Sequence, residues 1–183
     1  EGRTAIAIGD VAGKGTGAAL YASLAVGQLR GYALENHHCD PACILSYLNA
    51  ELVELDAGSR FLALAFAVYD RPRGTLKVAS SGLPYPLLLR RGEIGEIEVR
   101  GVPLGMMSGT EYREVTLELA PGDVVVFTTD GIDESLGPGD EPFGDRRVRR
   151  ALRALETGSA REIADGLIAA TDRHLAGREP SDD

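Results

Sequence analysis

The sequence contains no apolar run of eighteen residues, no signal-peptide pattern and no lipidation motif. No membrane span is expected, and the cytoplasm is the expected compartment. Positive charge is scarce: 19 Lys and Arg stand against 28 Asp and Glu, a formal net charge of −9. A general electrostatic grip on nucleic acid needs the opposite balance, so that class of partner is set aside. Cysteine is nearly missing. Cys39 and Cys43 are too few for a disulfide framework, and a reducing compartment is the simpler setting. No internal repeat and no domain-separating linker interrupts the 183 residues.

The rest of the composition is that of an ordinary globular chain. With 44% hydrophobic and 26% charged residues, disorder is excluded, and the length suits a single domain with a real core. The acidity is uneven: residues 1–70 sum to −4, residues 71–120 to +1 and residues 121–183 to −6. Whether any of these carboxylates does chemistry is the question the motifs must answer.

Thr4-Ala5-Ile6-Ala7-Ile8 reads as a strand stopping at Gly9-Asp10, and the glycine-rich turn Gly13 to Gly17 opens a helix reaching about Glu35. That helix is apolar almost all round (Ala18, Leu20, Ala22, Leu24, Ala25, Val26, Leu29), which predicts burial or cover by a partner. A second helix is predicted from about Pro41 to Asp56, with Ile44, Leu45, Leu48 and Leu52 on one face. Strands follow at Phe61–Tyr69, Thr75–Ala79, Pro86–Arg90, Gly95–Val99, Tyr112–Leu119 and Val124–Thr128, with Gly, Pro and Asp turns between them. Such close spacing suggests antiparallel meanders. Helices return at about Asp145–Leu155 and after the capping box Ser159-Ala160-Arg161-Glu162, the last burying Ile163, Leu167, Ile168 and Leu175. The fold class is α+β.

Three local patterns invite a chemical reading. His37-His38-Cys39-Asp40-Pro41-Ala42-Cys43 holds metal-ligand types, but its spacing matches no usual zinc pattern. Asp40-Pro41 reads equally as a helix N-cap with proline at the first helical position. Gly9-Asp10-Val11-Ala12-Gly13-Lys14-Gly15-Thr16 follows a strand and opens a helix as a phosphate-binding loop does. That loop requires four residues before its Gly-Lys pair and a glycine where Ile8 stands, so a P-loop is rejected. The same residues suit a different role. An aspartate at a strand end among small residues can aim a carboxylate and a neighbouring carbonyl at a hard cation. Asp130, in Phe127-Thr128-Thr129-Asp130-Gly131, is a second such candidate, and Asp182-Asp183 is a third. Taken singly, each reads equally as a turn residue or an acidic tail.

Taken together, a longer series of motifs is informative. Gly9 to Gly15, Gly101-Val102-Pro103-Leu104-Gly105-Met106, Leu119 to Asp123, Thr128 to Ser135, Phe143-Gly144 and Asp182-Asp183 resemble, in order, the metal-dependent protein phosphatases of the bacterial SpoIIE/RsbU-type branch. The resemblance implies a four-layer α-β-β-α sandwich of two mostly antiparallel sheets flanked by helix pairs. It implies two Mn²⁺ or Mg²⁺ ions, with Asp10 bridging them and the Val11 carbonyl as a further ligand. Asp130 and Asp182 are implied at the second ion, with Asp183 beside it. Lys14 stands where some relatives carry histidine, and it reads either as a solvated turn lysine or as a residue that attracts a phosphate. The implied reaction is hydrolysis of phosphoserine or phosphothreonine on a protein, and the implied substrate is a phosphorylated anti-sigma-factor antagonist. A sensor or regulatory domain upstream and a homodimer are partners in keeping with it.

The chemistry is coherent. Two close dications lower the pKa of a water and neutralise phosphoryl oxygens during in-line attack, so no protein nucleophile is needed. Oxygen-only ligands suit Mg²⁺ or Mn²⁺ better than zinc. The chain departs from the family pattern in three places. It does not contain the family's upstream metal-binding aspartate, it ends at the Asp-Asp pair before the last strand, and it carries Ser81-Gly82-Leu83-Pro84 where many relatives have a histidine. The expectation is therefore one phosphatase domain, residues 1–183, short of its first and last strands. The missing aspartate also keeps open a catalytically weak, phosphatase-like binding module acting through the apolar first helix. Arg146, Arg147, Arg149, Arg150 and Arg153 read either as a solvated face pairing with Asp140, Glu141 and Asp145 or as a dock for an acidic or phosphorylated partner.

Overall fold

The computed structural model describes residues 2–36, 38–58 and 60–179. In chain order its first elements are β1 (Arg3–Val11), α1 (Thr16–Glu35), α2 (Pro41–Glu54), β2 (Leu62–Asp70) and β3 (Thr75–Ser81). Next come β4 (Leu87–Arg90), β5 (Glu93–Glu96), β6 (Glu114–Glu118) and β7 (Val124–Val126). Three helices close the series: the four-residue α3 (Asp130–Asp133), α4 (Gly144–Ala154) and α5 (Ala160–Leu175). The chain is α+β with two antiparallel sheets, as its sequence implies. It divides into two compact units: residues up to Tyr85 with Glu98–Ala120, and Pro86–Ile97 with the residues from Pro121 onward.

The first unit is an antiparallel sheet ordered β1-β2-β3-β6 with α1 and α2 packed on it. Alternation along β2 sends Leu62, Leu64, Phe66 and Val68 into the core with Ile44, Leu45, Leu48 and Leu52 of α2. Leu45 and Leu48 are fully buried, each worth roughly 1.5–3 kcal/mol of transfer free energy. β1 runs three residues further than its alternation predicts, through Gly9 and Asp10 to Val11, because Gly9 lets it lie close against the Ala63 carbonyl.

α1 departs from the expectation of burial. It buries only Ala18, Tyr21, Ala25 and Leu29, while Leu20, Leu24, Val26 and Leu34 are exposed, Leu20 and Leu34 by about two thirds. A helix apolar all round does not choose its buried side by polarity. Here the side chosen is the one whose small residues and Tyr21 fit against the sheet.

At the start of α2, Pro41 takes the first helical position and Asp40 the N-cap position, as its sequence suggests, but the Asp40 carboxylate does not cap. It accepts from Lys77 Nζ at 2.7 Å, and the Ala42 N–H is taken instead by Glu114 at 3.2 Å. Asp40, and then Glu114, hold the Lys77 ammonium above its ordinary pKa. Cys39 and Cys43 are joined in one disulfide, their Cα atoms 6.0 Å apart, where two cysteines promised none. Sulfurs bonded to each other are not ligands, and among the described residues no group of three His, Cys, Asp or Glu is placed to hold a metal. The zinc reading is therefore dropped. His37 lies outside the described residues.

The second unit is a sheet ordered β5-β4-β7 carrying α4 and α5. Arg91 and Gly92 both have positive φ (52° and 82°), the two-residue hairpin turn that matches strand twist. It fixes β5 at Glu93–Glu96, two residues before the predicted Gly95 start. The core joins Leu87, Phe143, Val148, Leu152, Ile163 and Leu167. The capping box of α5 forms as its sequence predicts: Glu162 N–H donates to Ser159 Oγ, and Ser159 N–H donates to the Glu162 carboxylate. Ile168 is half exposed, not buried; Thr171 holds the inward place between Leu167 and Leu175. Arg149 is the hub of this unit, binding Asp145 and Glu96 and donating to the Ile94 carbonyl. Arg147 pairs with Glu141, whereas Asp140 pairs with Arg178. Two of the five stretch arginines thus have local structural work.

Candidate active site

In the first unit the site is built on the last residues of β1. Asp10 faces Ala63 and Val11 faces Leu62 across the β1–β2 ladder, and the Ala12 N–H donates to the Phe61 carbonyl at 3.0 Å. Asp10 is half-buried. The chain then turns through Gly13 (φ 98°) and Gly15 (φ 82°) into α1. Both angles lie where only glycine is at ease. A Cβ at either position would meet nothing within 4 Å, so the turn stands in open space. Lys14, between them, is exposed.

In the second unit Asp130 is the exposed first residue of α3, not the end of a strand, and its carbonyl accepts the Glu134 N–H at 2.8 Å. The short helix is fastened by Ser135 Oγ donating to the Gly131 carbonyl at 2.7 Å and by Phe143 N–H donating to the Ser135 carbonyl. Around it is a charge pattern that sequence spacing did not single out. Burial raises the Asp133 carboxyl above its ordinary pKa, and Asp145, Asp130 and Glu134 raise it further against an opposing pull from Arg149. Its signal in the sequence was Asp133-Glu134 three residues after Asp130, which reads as ordinary helix polarity.

Asp10, Val11 and Lys14 therefore share one edge of the first unit, and Asp130 and Asp133 share one helix of the second. Asp182 and Asp183 lie outside the described residues. Leu83, where a histidine is common in the resembled family, is buried at 8% exposure, and its neighbour Gly82 lies tight against Pro103.

A family model for stage II sporulation protein E (SpoIIE) matches residues 1–183. The chain belongs to the SpoIIE family. Among SpoIIE-like relatives, Protein IcfG of Synechocystis sp. is 28% identical over 205 aligned residues, covering 98% of this chain and 32% of that protein. Phosphoserine phosphatase RsbU of Bacillus subtilis is 28% identical over 131 residues, covering 70% of this chain and 38% of RsbU. The chain thus spans about a third of the length of these two relatives. The solved SiaA-PP2C domain of Pseudomonas aeruginosa superposes over 100% of this chain and 77% of its own, with a TM-score of 0.85 at 24% identity. The fold is the PP2C fold.

The candidate donors are hard oxygens in each unit: the Asp10 carboxylate and the Val11 carbonyl in the first, and the Asp130 carboxylate in the second. Oxygen donors suit Mg²⁺ or Mn²⁺ better than a soft metal. The Asp133 carboxyl is raised first by burial and then by the nearby Asp145, Asp130 and Glu134. The donor types present suit such an ion, and among the described residues no three of them are gathered at one point.

Proposed function

We propose that residues 1–183 act as a single protein serine/threonine phosphatase domain, hydrolysing phosphoserine or phosphothreonine on a protein substrate. Asp10, the Val11 carbonyl, Asp130, Asp182 and Asp183 would hold two Mn²⁺ or Mg²⁺ ions. When bound, such ions supply an ionisable water and neutralise phosphoryl oxygens. Lys14, exposed on an open turn next to Asp10, would draw the phosphate toward that edge. The substrate class in view is a phosphorylated anti-sigma-factor antagonist, presented under the control of a further regulatory domain. The observation that carries the proposal is the SpoIIE-family match along all 183 residues, with RsbU, a phosphoserine phosphatase by name, among the relatives.

The test is phosphate release from a phosphoserine protein. The chain should turn over only with Mn²⁺ or Mg²⁺, and Asp10→Asn should abolish release while the unfolding midpoint stays near wild type. Retained turnover in Asp10→Asn would sink the proposal.

One observation favours a second reading, a binding module. The apolar residues Leu20, Leu24, Val26 and Leu34 of α1 stand exposed. If binding is the whole function, Mn²⁺ titration by calorimetry shows no heat and phosphate release stays at background with either ion.

A further inference from the structure

Asn49 does not fit the pattern of its helix. It lies on the buried side of α2, at 2% exposure, among Ile44, Leu45, Leu48 and Leu52. A carboxamide there is costly unless its donor and acceptor are both used, and a leucine would serve the core better. Both are used, and on one loop. Asn49 Nδ2 donates to the Met107 carbonyl at 2.9 Å, and Oδ1 accepts the Gly105 N–H at 3.0 Å. The Tyr112 hydroxyl shares its proton between the Val102 carbonyl at 2.8 Å and Asn49 Oδ1 at 3.3 Å. Burial pushes that phenol up to about 12, so it remains a donor. From the other side α1 presses Tyr21 on the same loop: a Cβ on Gly105 would fall 2.6 Å from the Tyr21 hydroxyl.

The held loop leads to the site. Leu104, next to Gly105, exchanges two backbone hydrogen bonds with Leu62, at 3.0 and 2.8 Å. On its other side Leu62 pairs with Val11, the residue after Asp10. A continuous chain of contacts thus runs from the Asn49 carboxamide through Gly105, Leu104 and Leu62 to the end of β1.

We propose that Asn49 is a positioning residue for the phosphatase edge: by clamping the loop at Gly105 and Met107 it sets where Asp10 and the Val11 carbonyl stand. The proposal rests on the phosphatase reading above for its consequence, and on the hydrogen bonds alone for its geometry. A residue that merely fills the core would affect stability; a positioning residue also affects what the edge binds.

Two measurements on the full chain, each with Asn49→Ala and the milder Tyr112→Phe, test it. The first is amide exchange in the metal-free protein, which does not depend on the phosphatase reading. Asn49→Ala should speed exchange at Leu104, Leu62 and Ala12 as well as at Gly105, and Tyr112→Phe should do so to a lesser degree. Acceleration confined to residues 105–107 overturns the proposal. The second is Mn²⁺ binding by calorimetry together with the Mn²⁺ dependence of turnover. Loss of an outer support typically weakens a metal site by roughly tenfold to a hundredfold, and Asn49→Ala should fall in that range. A lowered unfolding midpoint with unchanged Mn²⁺ affinity in both variants also overturns it. A wild-type chain that binds no Mn²⁺ defeats the phosphatase reading instead, and the exchange result then stands by itself.

Discussion

Replacing Gly9 by alanine tests how tightly β1 approaches β2. An ideal Cβ at Gly9 would stand 2.9 Å from the Ala63 carbonyl oxygen, 2.9 Å from Leu64 Cδ1 and 3.2 Å from Leu62 Cδ1. The leucine methyls can rotate away. The carbonyl is backbone within the β1–β2 ladder and cannot move without disturbing it. Overpacking of this kind costs about 1–3 kcal/mol. Against it, alanine removes unfolded-state freedom worth about 0.4–1 kcal/mol, and Gly9 has no positive φ that alanine would strain. The clash wins, and a net loss of about 1–2 kcal/mol is expected. For a chain of this length that lowers the thermal midpoint by roughly 2–4 °C per kcal/mol. Urea unfolding at pH 7 should show a lower midpoint at an unchanged slope. Because the displaced strand carries Asp10 next in sequence, Mn²⁺ binding should weaken in the same variant. An alanine variant as stable as wild type, or more so, refutes the close-approach argument.

Leu152→Ala removes a side chain at 0% exposure in the second unit's core, and should cost about 2–5 kcal/mol in denaturant unfolding. Asp133→Asn should raise the melting temperature of the metal-free chain at pH 7, since burial, and then Asp145, Asp130 and Glu134, disfavour a charged carboxylate at this position. A raised folded pKa destabilises above it, so that gain should shrink as pH falls; a lower melting temperature at pH 7 contradicts it. Three carboxyls are held below their ordinary values: Asp70 by Arg73, Glu141 by Arg147 and Glu162 by Ser159. A depressed folded pKa stabilises above the unfolded value and is lost as pH falls through the folded one, so stability should decline below about pH 4. Thermal melts from pH 7 to pH 3 check this, and a flat profile contradicts it.

The parts of this fold that sequence made legible are those governed by local rules. Pro41 opens α2, Ser159 and Glu162 close a capping box, and the apolar stripe of α2 faces the sheet. What it hid was decided at a distance. Lys77, thirty-seven residues away, takes the Asp40 carboxylate that local rules assign to helix capping. The α1 pattern, apolar on every side, carries no information about which side is buried. Asn49 looks like a flaw in a hydrophobic stripe until the loop at Gly105 and Met107 is seen to need both ends of its carboxamide. For the candidate site, Asp10 and Asp130 can be picked out in the sequence because each sits beside a glycine at an element end, and Val11 because it follows Asp10. Asp133 cannot, because its raised carboxyl comes from burial first and Asp145 second, both fixed by folding.

The two compact units are interleaved along the chain, which changes hands at Tyr85, Ile97 and Ala120. Neither unit can therefore be released by a single cut. During synthesis the β4–β5 hairpin emerges well before β7, α4 and α5, the elements that cover Leu87 and pin β5 through Arg149. At about 5–20 residues per second, the interval between Glu96 and Arg149 is on the order of several seconds. Through that time Leu87 and Ile94 of the hairpin wait without the side chains that cover them, a reason to expect truncations inside α4 to be insoluble.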